Sequence, residues 1–186
     1  MLNALTVRKP AGFTIIELMI AVVIMAILMA LALPSFRTWM QNIQIRNAGG
    51  SITNGLQRAR GEAVARNTNV SFVLAADSSW TVNVVATATL IESRSSAESS
   101  QNVTLTAWTQ DLTVAPTVPP TLTLATYPAT TTYNNFGQVV AVSNSLAQVD
   151  LTAPDGTRDM RVTLGPGGNA KMCDPSLATG SSPSAC

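Results

Sequence analysis

The stretch RKPAGFTIIELMIAVVIMAILMALALPSF, residues 8–36, decides the architecture of this chain. Two cations and Gly12 precede Phe13, and the following residues are predominantly apolar up to Leu33. This run is long enough to cross a bilayer as a helix, which needs about 20 apolar residues. Glu17 interrupts the run, and a carboxylate at the centre of such a helix costs roughly 2.5–3.5 kcal/mol. We therefore expect a transmembrane helix in which Glu17 has a specific task.

The start of the apolar run, GFTIIEL, resembles the processing site of type IV pilin and pseudopilin precursors. In that family a membrane-bound prepilin peptidase cuts after the glycine, here Gly12, and the new terminal residue, here Phe13, is N-methylated. The apolar run stays in the mature protein, unlike the apolar region of an ordinary secretory signal, which is discarded. The resemblance implies that residues 1–12 are a cleaved leader and residues 13–33 a transmembrane or filament-core helix. The alternative is an uncleaved signal anchor with an incidental acid.

The same resemblance assigns Glu17 a role in recruiting the subunit into a filament. After cleavage Phe13 carries a cationic amine, and the Glu17 carboxylate can pair with this amine on its own or an adjacent subunit. Such a pair offsets the cost of burying either charge alone, and between subunits it would set the axial register. The alternative role of Glu17 is to interact with the macrodipole at the start of the helix.

A helical pattern resumes after Pro34 and continues to about Arg66. Apolar residues recur at spacings of three and four, apart from one gap, which indicates one face of an amphipathic helix. The residues on this face are Phe36, Met40, Ile43, Ile52, Leu56, Ala59 and Ala63. Pro34 should kink the helix without ending it, because the carbonyl four residues earlier loses its hydrogen-bond partner. We assign residues 34–66 to an amphipathic continuation that packs on a sheet, with a second weak point at Gly49-Gly50.

Beyond the helix the period changes to two, and enrichment in Val and Thr predicts a β-rich domain over residues 67–186. The predicted strands are residues 70–75, 80–86, 103–108, 121–126, 138–142, 148–152 and 159–164. Asp155-Gly156 predicts a hairpin turn between the last two strands. The segment 116–128, with four prolines, predicts a connecting loop or a sheet edge, and the segment 93–101 a flexible loop.

Charge and cysteine content indicate that this domain lies outside the inner membrane. Arg8 and Lys9 orient the leader towards the cytoplasm by the positive-inside rule, so a single-pass chain has a periplasmic C-terminal domain. Cys173 and Cys186 are then expected to form a disulfide that closes a C-terminal loop, worth roughly 3 kcal/mol in the chain-entropy model. Two free thiols are the alternative. Because the chain contains no histidine and only two cysteines, no metal site is expected, and no other cofactor is expected either.

Later segments resemble the GspH/FimT group of minor pilins and minor pseudopilins. The matching segments are LQRARGEA at 56–63, RNT at 66–68, YNNFGQ at 133–138 and KMCDP at 171–175. This resemblance implies an α+β fold of the type IV pilin kind, in which a long N-terminal helix packs on an antiparallel β-sheet domain. The middle of the chain, residues 76–130, is not supported by it.

Four cations are candidates for contact with nucleic acid. Arg58, Arg60 and Arg66 are able to bind phosphates, but we favour a solvated helix end or contacts to neighbouring subunits. Some FimT-type proteins that bind DNA carry Gly-Arg-x-Arg before Cys-Asp-Pro. Here Asn169 and Lys171 stand at the arginine positions, so one charge and the bidentate fork are lost. Cleavage of the leader removes two of the 11 basic residues and leaves 9 against 10 acidic ones, so no bulk attraction to polyanions is expected.

Together these features predict an inner-membrane minor type IV pilin of the GspH/FimT kind rather than an enzyme. Its expected partners are prepilin peptidase, other minor pilins, the major pilin and the inner-membrane assembly platform. A minor pseudopilin of type II secretion is the first alternative, although the sequence ALPSF at 32–36 favours the pilus. A DNA-binding pilin for natural transformation is the second. We interpret Asp155, Asp159 and Asp174 as turn residues rather than cation ligands.

Overall fold

The computed structural model of this protein describes residues 12–99, 102–115, 117, 119–154 and 158–186. In this part of the chain, helix α1, Ile15–Arg66, is followed by nine strands and the four-residue helix α2, Ser96–Ser99. The strands are β1 Val70–Leu74, β2 Trp80–Val84, β3 Thr89–Arg94, β4 Thr104–Gln110, β5 Leu122–Leu124, β6 Ala129–Tyr133, β7 Ser145–Thr152, β8 Met160–Leu164 and β9 Ala170–Cys173. The chain forms two compact units, one up to Arg37 and one from Thr38 onward.

The first unit contains the apolar part of α1, which does not bury its own side chains. The large apolar residues from Ile15 to Leu33 are each more than half exposed. This helix is long and apolar enough to cross a membrane. Pro34 lies inside α1, so the helix continues through the proline as predicted. A contiguous apolar surface of this size needs lipid or other helices around it.

The later part of α1 buries one face against the β-domain. Its buried residues are Ile45, Ala48, Gly49, Ser51, Ile52, Gly55, Leu56, Ala59 and Ala63. The predicted apolar face is therefore confirmed from Ile52 onward. Phe36 and Met40, which we placed on the same face, are exposed. The periodic pattern extends further than the packing, because the core of the second unit begins at Ile45.

The β-domain contains two antiparallel sheets. The strand order is β3-β2-β1-β6 in one sheet and β5-β4-β7-β8-β9 in the other. Strands β1, β2 and β6 alternate between buried and half-buried residues, which is the period expected of strands with one face in the core. Their inward side chains, including Phe72, Trp80 and Tyr133, join Ile52 and Leu56 of α1 in one buried cluster. The predicted α+β fold, a long helix packed on an antiparallel β-domain, is confirmed.

One predicted strand is wrong. Residues 138–142 contain an isolated bridge at Val139 and form no strand. Val139 N donates to Pro166 O at 3.0 Å, whereas Val140 N donates to Thr132 O at 2.8 Å. The segment divides its hydrogen bonds between two partners, so it does not build a ladder with either.

Three strands, β3, β6 and β9, have no counterpart among the predictions. In β3 only Ile91 is half-buried and the other residues are exposed, so no alternation marks the strand. Strand β6 carries Thr131 at a fully buried position, where its hydroxyl lies 3.2 Å from Ser145 Oγ. A polar residue on the core face conceals the period-two pattern. The loop predicted over 93–101 is corrected as well, since its described part contains the end of β3 and helix α2.

The described part of the proline-rich segment 116–128 agrees with the prediction of a connecting loop or a sheet edge. It contains the short strand β5 at the edge of the five-stranded sheet, where proline is tolerated. The hairpin turn predicted at Asp155-Gly156 lies outside the described residues and stays a prediction. Strands β7 and β8, which flank it, do pair antiparallel.

The C-terminal segment is closed onto the end of β9. A disulfide joins Cys173 and Cys186, whose Cα atoms lie 5.1 Å apart. Asp174 forms a parallel bridge with Ala185. Lys171 Nζ donates to Ala185 O at 3.2 Å. A tail with few buried side chains of its own is thus attached to the domain at both ends.

Replacing both cysteines by serine is expected to lower the free energy of unfolding by about 3 kcal/mol, the value for closing a loop of this length. Denaturant unfolding of the full-length protein in detergent, followed by tryptophan fluorescence, measures the change. Reduction of the wild type should produce the same loss. Thr179→Ala, an exposed change in the same loop, serves as the control. Equal unfolding midpoints with and without the disulfide would contradict this role.

Candidate processing and assembly site

Thr14 caps the N-terminus of α1, a role that the sequence analysis missed. Glu17 N donates to Thr14 Oγ1 at 3.3 Å, and Leu18 N donates to Thr14 O at 3.1 Å. Thr-x-x-Glu is the sequence pattern of a capping box, so this signal was present in the sequence. The cap places the first helical residue at Ile15 and leaves Phe13 outside the helix.

The peptide bond expected to be cut therefore lies in a non-helical segment. Gly12 and Phe13 have no regular secondary structure, and Phe13 is 84% exposed. Exposed chain outside helices and strands is the preferred substrate of proteolysis. A Cβ atom added at Gly12 would meet no other atom within 4 Å. No contact of a described residue requires glycine at this position, so the predicted requirement for it is one of the peptidase rather than of the fold.

Glu17 is exposed in the first turn of α1. The ion pairs among the described residues do not include it. Its carboxylate lies where the macrodipole of the helix favours a negative charge. It is also four residues along the chain from Phe13, whose amine is its proposed partner after cleavage. Both roles considered for Glu17 are compatible with this placement.

Pro34 lies one residue before Ser35, whose hydroxyl donates to Ala32 O at 3.0 Å. This bond adds a local polar contact in the turn that contains the proline. Serine side chains that bond to preceding carbonyls often accompany bends in helices. The kink itself stays a prediction.

Two of the four candidate cations contact acids near the end of α1. Arg58 Nη2 lies 3.1 Å from Glu62 Oε1, and Arg58 Nε lies 3.3 Å from Glu92 Oε2. Arg66 Nε donates to Glu62 Oε2 at 2.6 Å, and this hydrogen bond lowers the pKa of Glu62. Exposed ion pairs of this kind contribute up to about 1 kcal/mol each. These acids also partly neutralise the positive charge that binding of a polyanion would require.

The other two cations bind backbone carbonyls elsewhere in the domain. Arg60 Nε donates to Gly137 O at 2.9 Å. Lys171 Nζ is bound by the C-terminal loop, as described above. Asn169 lines an open groove together with Arg60. Each of the four cations thus has an intramolecular partner, which reduces the positive charge free to meet phosphates.

Asp174 belongs to a turn. Its Oδ1 accepts hydrogen bonds from Ser176 Oγ at 2.6 Å and from Ser176 N at 2.9 Å, and these bonds lower the pKa of Asp174. Asp159 precedes β8, and Asp155 lies outside the described residues. Among the described residues, no group of three or more His, Cys, Asp and Glu side chains is arranged to hold a metal ion.

A long N-terminal helix, apolar in its first part and packed on antiparallel β-sheets in its later part, is the fold of the pilin class. Comparison with protein families gives the same result. Residues 7–33 match the prokaryotic N-terminal methylation motif, and residues 48–168 match the type II transport protein GspH. Because the second match covers well over half of the chain, the protein belongs to the GspH family. The chain has no significant match among curated proteins or among solved structures.

Membership of this family indicates the location and the general role of the protein. It is anchored in the inner membrane by a single N-terminal helix, carries a C-terminal globular domain, and then enters a pilus or pseudopilus. Proteins of this family are structural rather than catalytic. They are processed by prepilin peptidase and assemble with other pilins.

Proposed function

We propose that this protein is a minor subunit of a type IV pilus that takes part in assembly or priming of the filament. The observation that carries the proposal is the exposed apolar surface between Ile15 and Leu33, directly after a processing site. Lipid covers this surface in the membrane-inserted chain, and helices of other subunits cover it in a filament. An ordinary membrane anchor needs only the first of these states.

In this proposal the chain is used in four parts. Residues 1–12 are the leader that prepilin peptidase removes. Residues 13–33 span the membrane and later lie in the filament core. Residues 34–66 continue the helix, which packs on the β-domain from Ile45 onward, and residues 67–186 select the neighbouring subunits. The inner-membrane assembly platform, other minor pilins and the major pilin are the partners of these parts.

The docking step depends on the charge pair at the helix start. Lipid tails are about as apolar as leucine, so moving the helix from the membrane into a filament gains little hydrophobic free energy. A pair between the Glu17 carboxylate and the Phe13 amine offsets the cost of each charge alone in a low dielectric. The pair forms in one register only, so it supplies the specificity that apolar packing lacks.

A minor pseudopilin of type II secretion is the second candidate, and the description of the matched family, type II transport protein GspH, favours it. The sequence ALPSF at 32–36 favours the pilus. DNA binding in natural transformation is the third candidate function. It rests on Arg58, Arg60, Arg66 and Lys171, whose intramolecular contacts weaken it.

The test is a clean deletion strain compared with the same strain carrying the wild-type gene. Pilus yield, secretion of exoproteins and DNA uptake are measured in parallel. Loss of pili, restored by the gene, supports the proposed function. Normal pili with lost secretion would replace it by the pseudopilin function. Normal pili with lost DNA uptake, together with salt-dependent DNA binding by the protein, would replace it by DNA binding in natural transformation.

Glu17→Ala is expected to be processed and inserted normally but to enter filaments at about a tenth of the wild-type level or less, since a buried charge left unpaired costs several kcal/mol. The mass of the protein extracted from membranes measures processing. Its amount in sheared filaments, relative to the amount in the membrane, measures incorporation.

Thr14→Ala is the matched control for this experiment. It removes the hydroxyl that caps α1 but keeps the Glu17 carboxylate. If Glu17 acts mainly by stabilising the helix start, the two variants should be equally deficient. If it acts by recruitment, Thr14→Ala should be incorporated nearly normally. Normal incorporation of Glu17→Ala would show that the acid is not needed for docking.

A further inference from the structure

An open groove of about 590 Å³ runs along the end of α1 beside the turn that follows β6. Two apolar side chains in its lining are unusually accessible, Phe136 at 76% exposed and Val64 at 52%. The α1 side is completed by Arg60 and Gly61, and the opposite side includes Asn169. A phenylalanine exposed to this extent adds nothing to the core, and with Val64 it lines one groove as an exposed apolar patch, the kind of surface that marks interaction sites.

The turn that carries Phe136 has a well-defined backbone. Asn134 Oδ1 accepts hydrogen bonds from Phe136 N and Gln138 N, both at 3.0 Å. Gly137 N donates to Asn134 O at 2.9 Å. Gly137 has a φ of 73°, in the left-handed region that favours glycine. The segment YNNFGQ therefore has structural reasons for Asn134 and Gly137, but the folded domain supplies none for Phe136.

The same turn is attached to both sides of the groove. Gly137 O accepts the hydrogen bond from Arg60 Nε. Gly168, with a φ of 82°, approaches this carbonyl so closely that a Cβ atom at Gly168 would collide with it. Three segments far apart in the chain thus form one preformed surface. A preformed surface loses little conformational entropy when a partner binds.

The charge of the groove indicates what it recognises. Arg60 is the one charged residue in the described lining, which contains no carboxylate. Its Nε is occupied by Gly137 O, and its other guanidinium nitrogens form no hydrogen bond with a described residue. Guanidinium groups pair favourably with carboxylates. Nucleic acids require several phosphate contacts for comparable affinity, and one cation among apolar residues suits an acidic, apolar peptide better.

We infer that this groove binds a segment of a neighbouring pilin-type subunit in which a carboxylate stands next to an aliphatic or aromatic side chain. The carboxylate pairs with Arg60, and the apolar side chain covers Phe136 and Val64. The inference rests on the proposed assembly function and specifies the chemistry of the partner. Phe136 is the central anchor, because aromatic residues dominate the energy of such interfaces.

Gly61 allows the groove to be blocked without disturbing the fold. A Cβ atom at Gly61 meets no other atom within 4 Å, and leucine and alanine are both better helix formers than glycine. We therefore expect the leucine of Gly61→Leu to project into the groove, whereas Gly61→Ala adds only one methyl group. Equal unfolding midpoints for the two variants verify that only the surface differs.

The test is photo-crosslinking of the full-length protein in its own cells, with p-benzoylphenylalanine in place of the exposed Gln57 at the groove. We expect an adduct with a protein that carries an N-terminal methylation motif. The crosslinked peptide should contain Asp or Glu within three residues of a large apolar residue. Gly61→Leu and Phe136→Ser should each reduce the adduct at least tenfold, as expected for a central anchor. Gly61→Ala should retain it.

Several outcomes would overturn the inference. These are absence of the adduct, an adduct that Gly61→Leu leaves unchanged, and a crosslinked peptide without an acid. Salt-dependent DNA binding by the purified protein that Gly61→Leu abolishes would replace the peptide by nucleic acid. If deletion abolishes pili but no groove-dependent adduct forms, the inference about the groove is refuted and the proposed pilus function stands. A groove-dependent adduct with a secretion pseudopilin would support the groove and refute the pilus function.

Discussion

Replacing Gly12 by leucine is expected to stop processing, so that essentially all of the protein in the membrane keeps its leader. The bond after residue 12 is exposed and non-helical, and a Cβ atom added at Gly12 would meet no other atom within 4 Å. The effect is therefore confined to recognition by the peptidase. Intact-mass measurement of the extracted protein distinguishes the precursor from the chain that begins at Phe13.

Gly12→Ala is the control for this change, because it adds one methyl group at the same site and should still be processed to a large extent. The uncut variant should also be absent from filaments. Without cleavage Phe13 has no free amine, so the partner proposed for Glu17 never forms. Mature protein at the wild-type level from Gly12→Leu would refute the processing site.

Gly55→Val is expected to lower the free energy of unfolding by about 3 kcal/mol, the upper part of the usual range for overpacking a core. A Cβ atom at Gly55 would lie 2.7 Å from Phe72 Cε2 and 3.0 Å from two ring atoms of Trp80. Both rings are buried and contact each other, with centroids 5.7 Å apart. Trp80 is further held by a hydrogen bond from its Nε1 to Ser51 Oγ at 2.9 Å. Neither ring can move aside without disturbing the core.

Denaturant unfolding of the full-length protein in detergent, followed by tryptophan fluorescence to which Trp80 contributes, measures this loss. Gly61→Val is the matched control, since it makes the same change in the same helix at a position where the added Cβ atom meets no other atom within 4 Å. The control should be at least as stable as the wild type, because valine has a higher helix propensity than glycine. Equal destabilisation by both changes would refute the packing explanation.

The N-terminal methylation motif was accessible to prediction because its parts are contiguous. Gly12, Phe13 and Glu17 stand within six residues, at the start of an apolar run whose length alone indicates a membrane helix. The cap at Thr14 was equally local, and the Thr-x-x-Glu pattern would have identified it. Roles that depend on a partner outside the chain remain predictions.

The β-domain was predicted less completely. Strands β1 and β2, and β7 from Ala147 onward, alternate in burial, and their pattern was recognisable. Strand β3 has no buried face, and β6 places Thr131 in the core, where Ser145 satisfies its hydroxyl.

In the helix, too, local propensity and tertiary packing lead to different conclusions about one residue. From propensity alone Gly49 was a weak point, but a Cβ atom there would lie 2.8 Å from Met172 Sδ of β9. Its small size allows the helix and the sheet to approach.

By itself the sequence determined the membrane-length helix, its N-terminal methylation motif and the change to β-structure beyond Arg66. It also predicted the disulfide between Cys173 and Cys186, whereas cleavage after Gly12 stays a prediction. These features follow from residue order, periodicity and composition within short windows. Only the tertiary structure decided which glycines are needed for packing, which strands share a sheet, and that Arg60, Gly137 and Gly168 meet at one groove. The reason is physical: such contacts join residues far apart in the chain, and strand pairing and core packing bring them together, not local conformational preference.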